Sequence, residues 1–102
     1  MKLQILGTEY DFVETNDLIS SGSDGECDLY SKIIRVRPSS VMFDNGTDEE
    51  KEIRYKEVVR HEIIHAMFRE SGLLEYANDE TLVDWIATQW NKIAEVMKIA
   101  GG

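Results

Sequence analysis

The chain has 102 residues, 42% of them hydrophobic and 30% charged, with a single proline. This is the composition of a globular protein, and a chain of this length can bury one modest core, so we expect a single domain over residues 1–102. The formal net charge of -9 argues against nucleic acid and anionic membranes as partners, because both are bound by clustered lysine and arginine.

Cys27 is the only cysteine, so no internal disulfide can form and a reducing compartment is the natural setting. The first ten residues carry one lysine and no long apolar run. They resemble neither a signal peptide nor a membrane span, and we expect a cytoplasmic protein.

The amino-terminal half reads as short strands in two pairs. Residues 2–6 and 10–14 predict a hairpin around Gly7-Thr8-Glu9, and residues 16–25 predict a loop. Residues 26–30 and 32–37 predict a second pair, which Pro38 ends. Strands this short must pack on something else.

The carboxyl-terminal half changes to helical spacing. Residues 48–70 predict a helix that opens on three acids and stops at Ser71-Gly72. A second helix is predicted over residues 79–99, capped by Asn78. We expect its apolar stripe, and both tryptophans, to belong to the core; the stripe comprises Leu82, Ile86, Trp90, Ile93 and Met97, and the other tryptophan is Trp85. The predicted fold class is α+β, a small antiparallel sheet followed by two helices.

The first predicted helix contains the pattern H-E-x-x-H at His61, Glu62 and His65. At 100° per residue, the two histidines lie about 40° apart around the helix axis and one turn apart along it, so both imidazoles can reach one cation. Glu62 lies about 60° beyond His65, which suits a base that acts on metal-activated water. The alternative is that two histidines fell at this spacing by chance, but an unsatisfied histidine pair on a largely buried helix would be costly.

A catalytic zinc site needs a third protein ligand, and no other histidine exists. The choice falls among Cys27 and the carboxylates. Glu80 is the best placed, at the start of the next helix, and Asp84 shares its helical face and could accept the free N–H of a ligating histidine. Glu75 and Asp79 are alternative ligands. The competing interpretation makes Glu80 and Asp84 solvent-facing acids in the first turns of a helix.

The segments V-V-R-H-E-I-I-H-A-M and D-E-T-L-V-D resemble the gluzincin branch of the zincin metallopeptidases, and the layout resembles small, often phage-borne domains related to the ImmA/IrrE-type metallopeptidases. The resemblance covers residues 58–90. It implies a minimal zincin-like fold with Zn²⁺ held by His61, His65 and Glu80. It also implies that Glu62 is the general base and that Asp84 is the carboxylate that accepts the free N–H of a ligating histidine. For oxyanion stabilisation the chain offers Tyr76 or Tyr55, neither of them in a motif.

The function predicted from these residues is zinc-dependent hydrolysis of a peptide bond, with a peptide or protein as substrate and neither nucleic acid nor membrane as partner. The alternative is a catalytically silent zincin-fold module in which zinc serves stability while the protein binds a partner. A third hypothesis is that metal binds only during purification. Larger relatives carry an extra helix before the sheet and further substrate-selecting domains, for which this chain has no room.

Overall fold

The computed structural model describes residues 1–20 and 22–102. Four strands precede three helices, with a short 3₁₀ helix between the two groups. The strands are β1 (Lys2–Ile5), β2 (Thr8–Glu14), β3 (Gly25–Asp28) and β4 (Ile33–Val36); the helices are α1 (Asp48–Glu70), α2 (Leu74–Ala77) and α3 (Glu80–Ala100). The α+β class is confirmed. The sequence predicts two helices, and the structure adds the four-residue α2 within the predicted connection.

The first hairpin turns one residue earlier than predicted. Its ladder closes on the pair Ile5 and Thr8, which leaves Leu6 and Gly7 as the turn. Both have positive φ, 48° and 88°, as a two-residue turn between right-twisted strands requires. Gly7 adopts this conformation without steric cost, whereas Leu6 adopts it against its preference.

The sheet is mixed, which corrects the prediction of an antiparallel sheet. Its strand order is β1-β2-β4-β3. Both hairpins are antiparallel, but β2 and β4 pair in parallel, with Phe12 opposite Ile34. The parallel pair arises because β3 does not lie beside β2. One strand position is left between them, and β4 occupies it after the turn that follows β3. A central strand is covered on both sides, and in β4 both Ile34 and Val36 are fully buried.

Helix α1 lies across the sheet and closes its core. The helix begins with a capping box, in which Thr47 accepts from the Glu50 N–H and the Glu50 carboxylate accepts from the Thr47 N–H. Val58 and Ala66 on its sheet-facing side pack into one hydrophobic cluster with the strands. The other buried members of that cluster are Ile5, Tyr10, Ile34, Val36 and Met42.

Helix α3 packs on α1 through a narrow contact. Ile64 of α1 meets Val83 and Ala87 of α3, and these form a second, smaller cluster. The prediction of core tryptophans was wrong, since Trp85 is 57% and Trp90 48% exposed. The reason is that the contact uses the small residues 83 and 87, which turns the bulky ones outward. No helix in the described part of the chain combines the length and apolarity needed to cross a bilayer.

A polar cluster ties the last turn of α1 to the sheet. The Glu70 carboxylate accepts from Tyr10 Oη at 2.5 Å, from Thr8 Oγ1 at 2.7 Å and from Lys32 Nζ at 2.9 Å. These donors favour the charged form and lower the pKa of Glu70 to about 2. Burial of the ring and the hydrogen bond to Glu70 raise the pKa of Tyr10. The cluster thus fixes the position of α1 against β2 and the β3–β4 turn.

This cluster predicts acid-sensitive stability. Because folding lowers the pKa of Glu70 from its ordinary 4.5 to about 2, the stabilisation is present above about pH 4.5 and is lost as the pH falls through 2. Glu70→Gln should therefore be less stable than the wild type at pH 7 and should lose less stability between pH 4.5 and pH 2. Denaturant unfolding across this range checks it, with Glu95→Gln, an exposed position on α3, as control. Parallel pH profiles for wild type and Glu70→Gln would contradict it.

Candidate metal centre

Helix α1 presents both motif histidines to one point. The Nε2 atoms of His61 and His65 lie 3.1 Å apart, and the two rings meet edge to face with centroids 4.7 Å apart. One helical turn between them produces this approach, because residues four apart lie one above the other on the same face. Both rings are largely buried, so the pair is held by packing as well as by the helix.

Helix α3 supplies the acids at its first two turns. The Glu80 carboxylate places one oxygen 3.1 Å from His61 Nε2 and the other 3.0 Å from His65 Nε2. One turn later, Asp84 Oδ1 lies 2.8 Å from His61 Nδ1. The helix is capped by Asp79, whose side chain accepts from the Leu82 N–H, and not by Asn78 as predicted. Because Asp79 ends the connection, Glu80 becomes the first helical residue and turns back towards α1.

Hydrogen bonding to the Nδ1 atoms assigns the tautomer of each ring. His65 Nδ1 lies 2.6 Å from the Ala77 carbonyl oxygen, an acceptor only, so this nitrogen carries the proton. Asp84 imposes the same tautomer on His61. Burial lowers the pKa of His65, which favours the neutral ring. His65 therefore directs an unprotonated Nε2 at His61 and at Glu80, and the Nδ1–H tautomer of His61 directs its own unprotonated Nε2 at the same point.

The cluster thus consists of acceptors that face one another without a proton to share. Two imidazole lone pairs and a carboxylate repel one another unless a cation lies between them. The separations of 3.0 to 3.1 Å come close to the edge of a tetrahedron with bonds of about 2.0 Å, which is roughly 3.3 Å. The donor set of two imidazoles and one carboxylate fits zinc better than magnesium or calcium, which prefer oxygen ligands alone.

Glu62 lies beside the cluster but outside it. Its side chain is on the sheet-facing side of α1, only 6% exposed, and it lines a cavity of about 330 Å³ together with His61, His65 and Glu80. Burial raises the pKa of Glu62 to about 7, against the lowering effect of His61. No protein hydrogen bond within the described residues engages its carboxylate, which leaves it available to a water molecule.

Strand β3 passes close to Glu62 because Gly25 has no side chain. A Cβ at this position would lie 2.7 Å from Val58 Cγ1 and 3.2 Å from Glu62 Oε2. The first distance is closer than Cβ atoms normally approach and the second is tight, so a larger residue at position 25 would require Val58, Glu62 or the strand itself to shift. The outer strand of the sheet therefore forms the second wall of the cavity.

The other candidate residues lie apart from the cluster. Cys27 lines the cavity, but within the described residues the group able to hold a cation comprises His61, His65 and Glu80. Burial raises the pKa of Cys27 to about 11, as for a thiol that acts as a small hydrophobe. Asp79 is used as a helix cap, and Glu75 is exposed. Tyr55 packs against the sheet core and Tyr76 near Phe68, so neither tyrosine lines the cavity.

The sequence-based prediction of the site omits two groups that the structure places there. The Ala77 carbonyl belongs to the backbone of α2, and no side-chain pattern marks it. Arg69 lines the same cavity as the histidines. Its position, four residues after His65 and seven after Glu62, puts it on the same face of α1, and helical periodicity could have found it.

Comparison with known proteins gives no further guidance. The chain matches no protein-family model, and neither the curated proteins nor the solved structures contain a significant match. Any functional conclusion therefore depends on the geometry of the site.

Proposed function

We propose that this chain is a zinc-dependent peptide hydrolase in which His61, His65 and Glu80 hold the metal and Glu62 is the general base. The observation that carries the proposal is the arrangement of three acceptors at nearly tetrahedral spacing, with both Nδ1 protons held elsewhere. A structural zinc site is closed by four protein ligands, whereas three leave a position for water. Three ligands beside a buried carboxylate therefore favour catalysis.

Zinc held by His61, His65 and Glu80 would supply Lewis-acid chemistry, which lowers the pKa of water and polarises a peptide carbonyl. The remaining steps belong to the protein. Glu62 accepts a proton from the attacking water at a carboxylate oxygen, and it then donates this proton to the leaving amine. Asp84 and the Ala77 carbonyl hold the two imidazole rings in their orientation while charge develops nearby.

The sheet offers a way to position an extended substrate. β3 is an outer strand in the order β1-β2-β4-β3, and residues 25–27 of this strand line the cavity with His61 and Glu62. A peptide that pairs with β3 as an added strand would run through the cavity past the metal ligands. Backbone pairing of this kind selects for an extended chain and leaves side-chain selectivity to the cavity walls.

The test is peptide hydrolysis as a function of zinc. We expect protein loaded with one equivalent of zinc to cleave members of a mixed peptide library, detected by mass spectrometry. Treatment with a zinc chelator should abolish the cleavage, and one added equivalent of zinc should restore it at the same bonds. Cleavage that persists in metal-free protein, or no cleavage by zinc-loaded protein, would contradict the proposal.

A further inference from the structure

Arg69 differs from the other arginines in its surroundings. Its Nε is buried and has no hydrogen-bond partner among the described residues. Within residues 1–20 and 22–102 it also forms no ion pair. By contrast, Arg60 donates to the Ala87 carbonyl at 2.7 Å. The remaining arginines pair with acids, as follows: Arg35 with Glu26, Arg37 with Asp24, and Arg54 with Asp24 and Glu57.

Two acids of the cavity are engaged by other groups, and the third, Glu62, forms no hydrogen bond or ion pair with Arg69, although the charge of Arg69 acts to lower the pKa of Glu62. Glu26 lines the same wall but accepts from Arg35 at 2.9 Å and from the N–H groups of Ile19 and Ser20. Glu80 faces the two histidines. A partly buried guanidinium that forms no direct pair with a carboxylate is costly. A bound divalent cation would add to the positive charge and raise that cost further.

The position of Arg69 relates it to a substrate in the cavity. It follows His65 by one helical turn, about 6 Å along the axis, on the face that also carries Glu62. An extended peptide advances about 3.3 Å per residue. The guanidinium can therefore reach a group one or two residues away from the bond at the metal ligands. Its planar, forked donors match the geometry of a carboxylate.

We propose that Arg69 determines substrate specificity by binding a carboxylate of the peptide, within one or two residues of the scissile bond. The inference rests on the proposed hydrolase function, because that function puts a peptide in the cavity. The carboxylate can come from an Asp or Glu side chain or from the carboxyl terminus of the substrate. The protein is then selective for acidic positions in spite of its own net charge of -9.

The test measures binding, so that it does not depend on turnover. Zinc-loaded Glu62→Gln protein is titrated calorimetrically with three kinds of peptide: a neutral one, acetylated and amidated, that contains glutamine; a set with glutamate at each position in turn; and the neutral sequence with a free carboxyl terminus. We expect one acidic kind to bind about tenfold tighter than the neutral peptide, as for one charge-assisted pair. The preferred kind identifies the source of the carboxylate.

Variants assign the preference to Arg69. In the Glu62→Gln background, Arg69→Gln should remove the tenfold preference and keep the affinity for the neutral peptide, and Arg69→Lys should retain part of it. Lys56→Gln removes one positive charge from an exposed position of the same helix and should change nothing. The inference would be overturned by any of three results. Protein that retains Arg69 could bind acidic and neutral peptides equally, the preference could survive Arg69→Gln, or no peptide could bind.

Three measurements together separate the two proposals: the zinc content of the protein, its cleavage of neutral peptides, and the same titrations in zinc-free protein. If the protein takes up no zinc but still shows a preference that Arg69→Gln removes, the hydrolase proposal fails and the carboxylate site stands. If zinc binds and neutral peptides are cleaved without any acidic preference, the hydrolase proposal stands and the Arg69 inference fails.

Discussion

The Glu62→Gln variant is expected to retain one equivalent of zinc and to lose about 10²- to 10⁴-fold in the rate of peptide hydrolysis, the usual contribution of a general base. Glutamine has the same size and shape as glutamate, so the packing against Gly25 and Val58 should persist. An amide cannot accept the proton of the attacking water. Steady-state cleavage of a peptide found with the library, together with elemental analysis, measures both quantities.

The matched control is Glu52→Gln, which makes the same chemical change at an exposed position of α1. It should retain both the zinc and the rate. If Glu62→Gln cleaves at the wild-type rate, Glu62 is not the base. If neither the wild type nor the Glu62→Gln variant cleaves any peptide while both bind zinc, the catalytically silent module becomes the better explanation.

Most of the site that could be predicted from the sequence follows from helical spacing. The boundaries predicted for the first helix, residues 48–70, are those of α1. The pairing of His61 with His65 follows from that helix alone, since it needs no information on tertiary structure. Glu80 was harder, because it depends on how the chain returns after α1. It could be singled out because few residues separate the helices and the hypothesis of a catalytic zinc site requires a third ligand.

The sheet was less predictable for a physical reason. Local sequence specifies a hairpin through its turn and its alternating side chains, and both hairpins were found. Whether β4 or β3 lies beside β2 depends on which edge of the second hairpin buries more apolar surface there. That difference is decided by contacts between residues far apart in the sequence. The parallel pairing of β2 with β4 puts Ile34 and Val36 in the centre of the sheet. No neighbouring residue in the sequence signals that outcome.

The tryptophans show how amphipathic spacing can mislead. Leu82, Ile86 and Trp90 share one side of α3, and this stripe predicted a core contact. The helix instead packs through Val83 and Ala87, where small side chains allow close approach to α1. Trp90 and the adjoining Ile63, Ile64 and Met67 then line an apolar groove on the surface. Periodicity identified the apolar side of the helix only approximately.

Replacing both histidines tests the metal centre itself. Wild-type protein is expected to contain one zinc ion per chain, and His61→Ala/His65→Ala none. Because a bound metal stabilises only the folded state, zinc at about 100 times its dissociation constant should add about 2.7 kcal/mol to the free energy of unfolding. For a chain of this size, in which each 1 kcal/mol shifts Tm by roughly 4–8 °C, that corresponds to an increase of roughly 11–22 °C. The double variant should lose this increase.

Glu80→Ala and Glu75→Ala decide which acid completes the site. Glu80 is 66% exposed at its side chain, so its removal leaves the core intact while it removes the one carboxylate that contacts both Nε2 atoms. Zinc affinity should fall strongly in Glu80→Ala and stay unchanged in Glu75→Ala, as measured by competition with a chelator of known affinity. Equal affinities in the two variants would mean that another group completes the coordination. Full zinc content in the double histidine variant, with its circular dichroism unchanged, would remove the metal centre and with it the basis for hydrolysis.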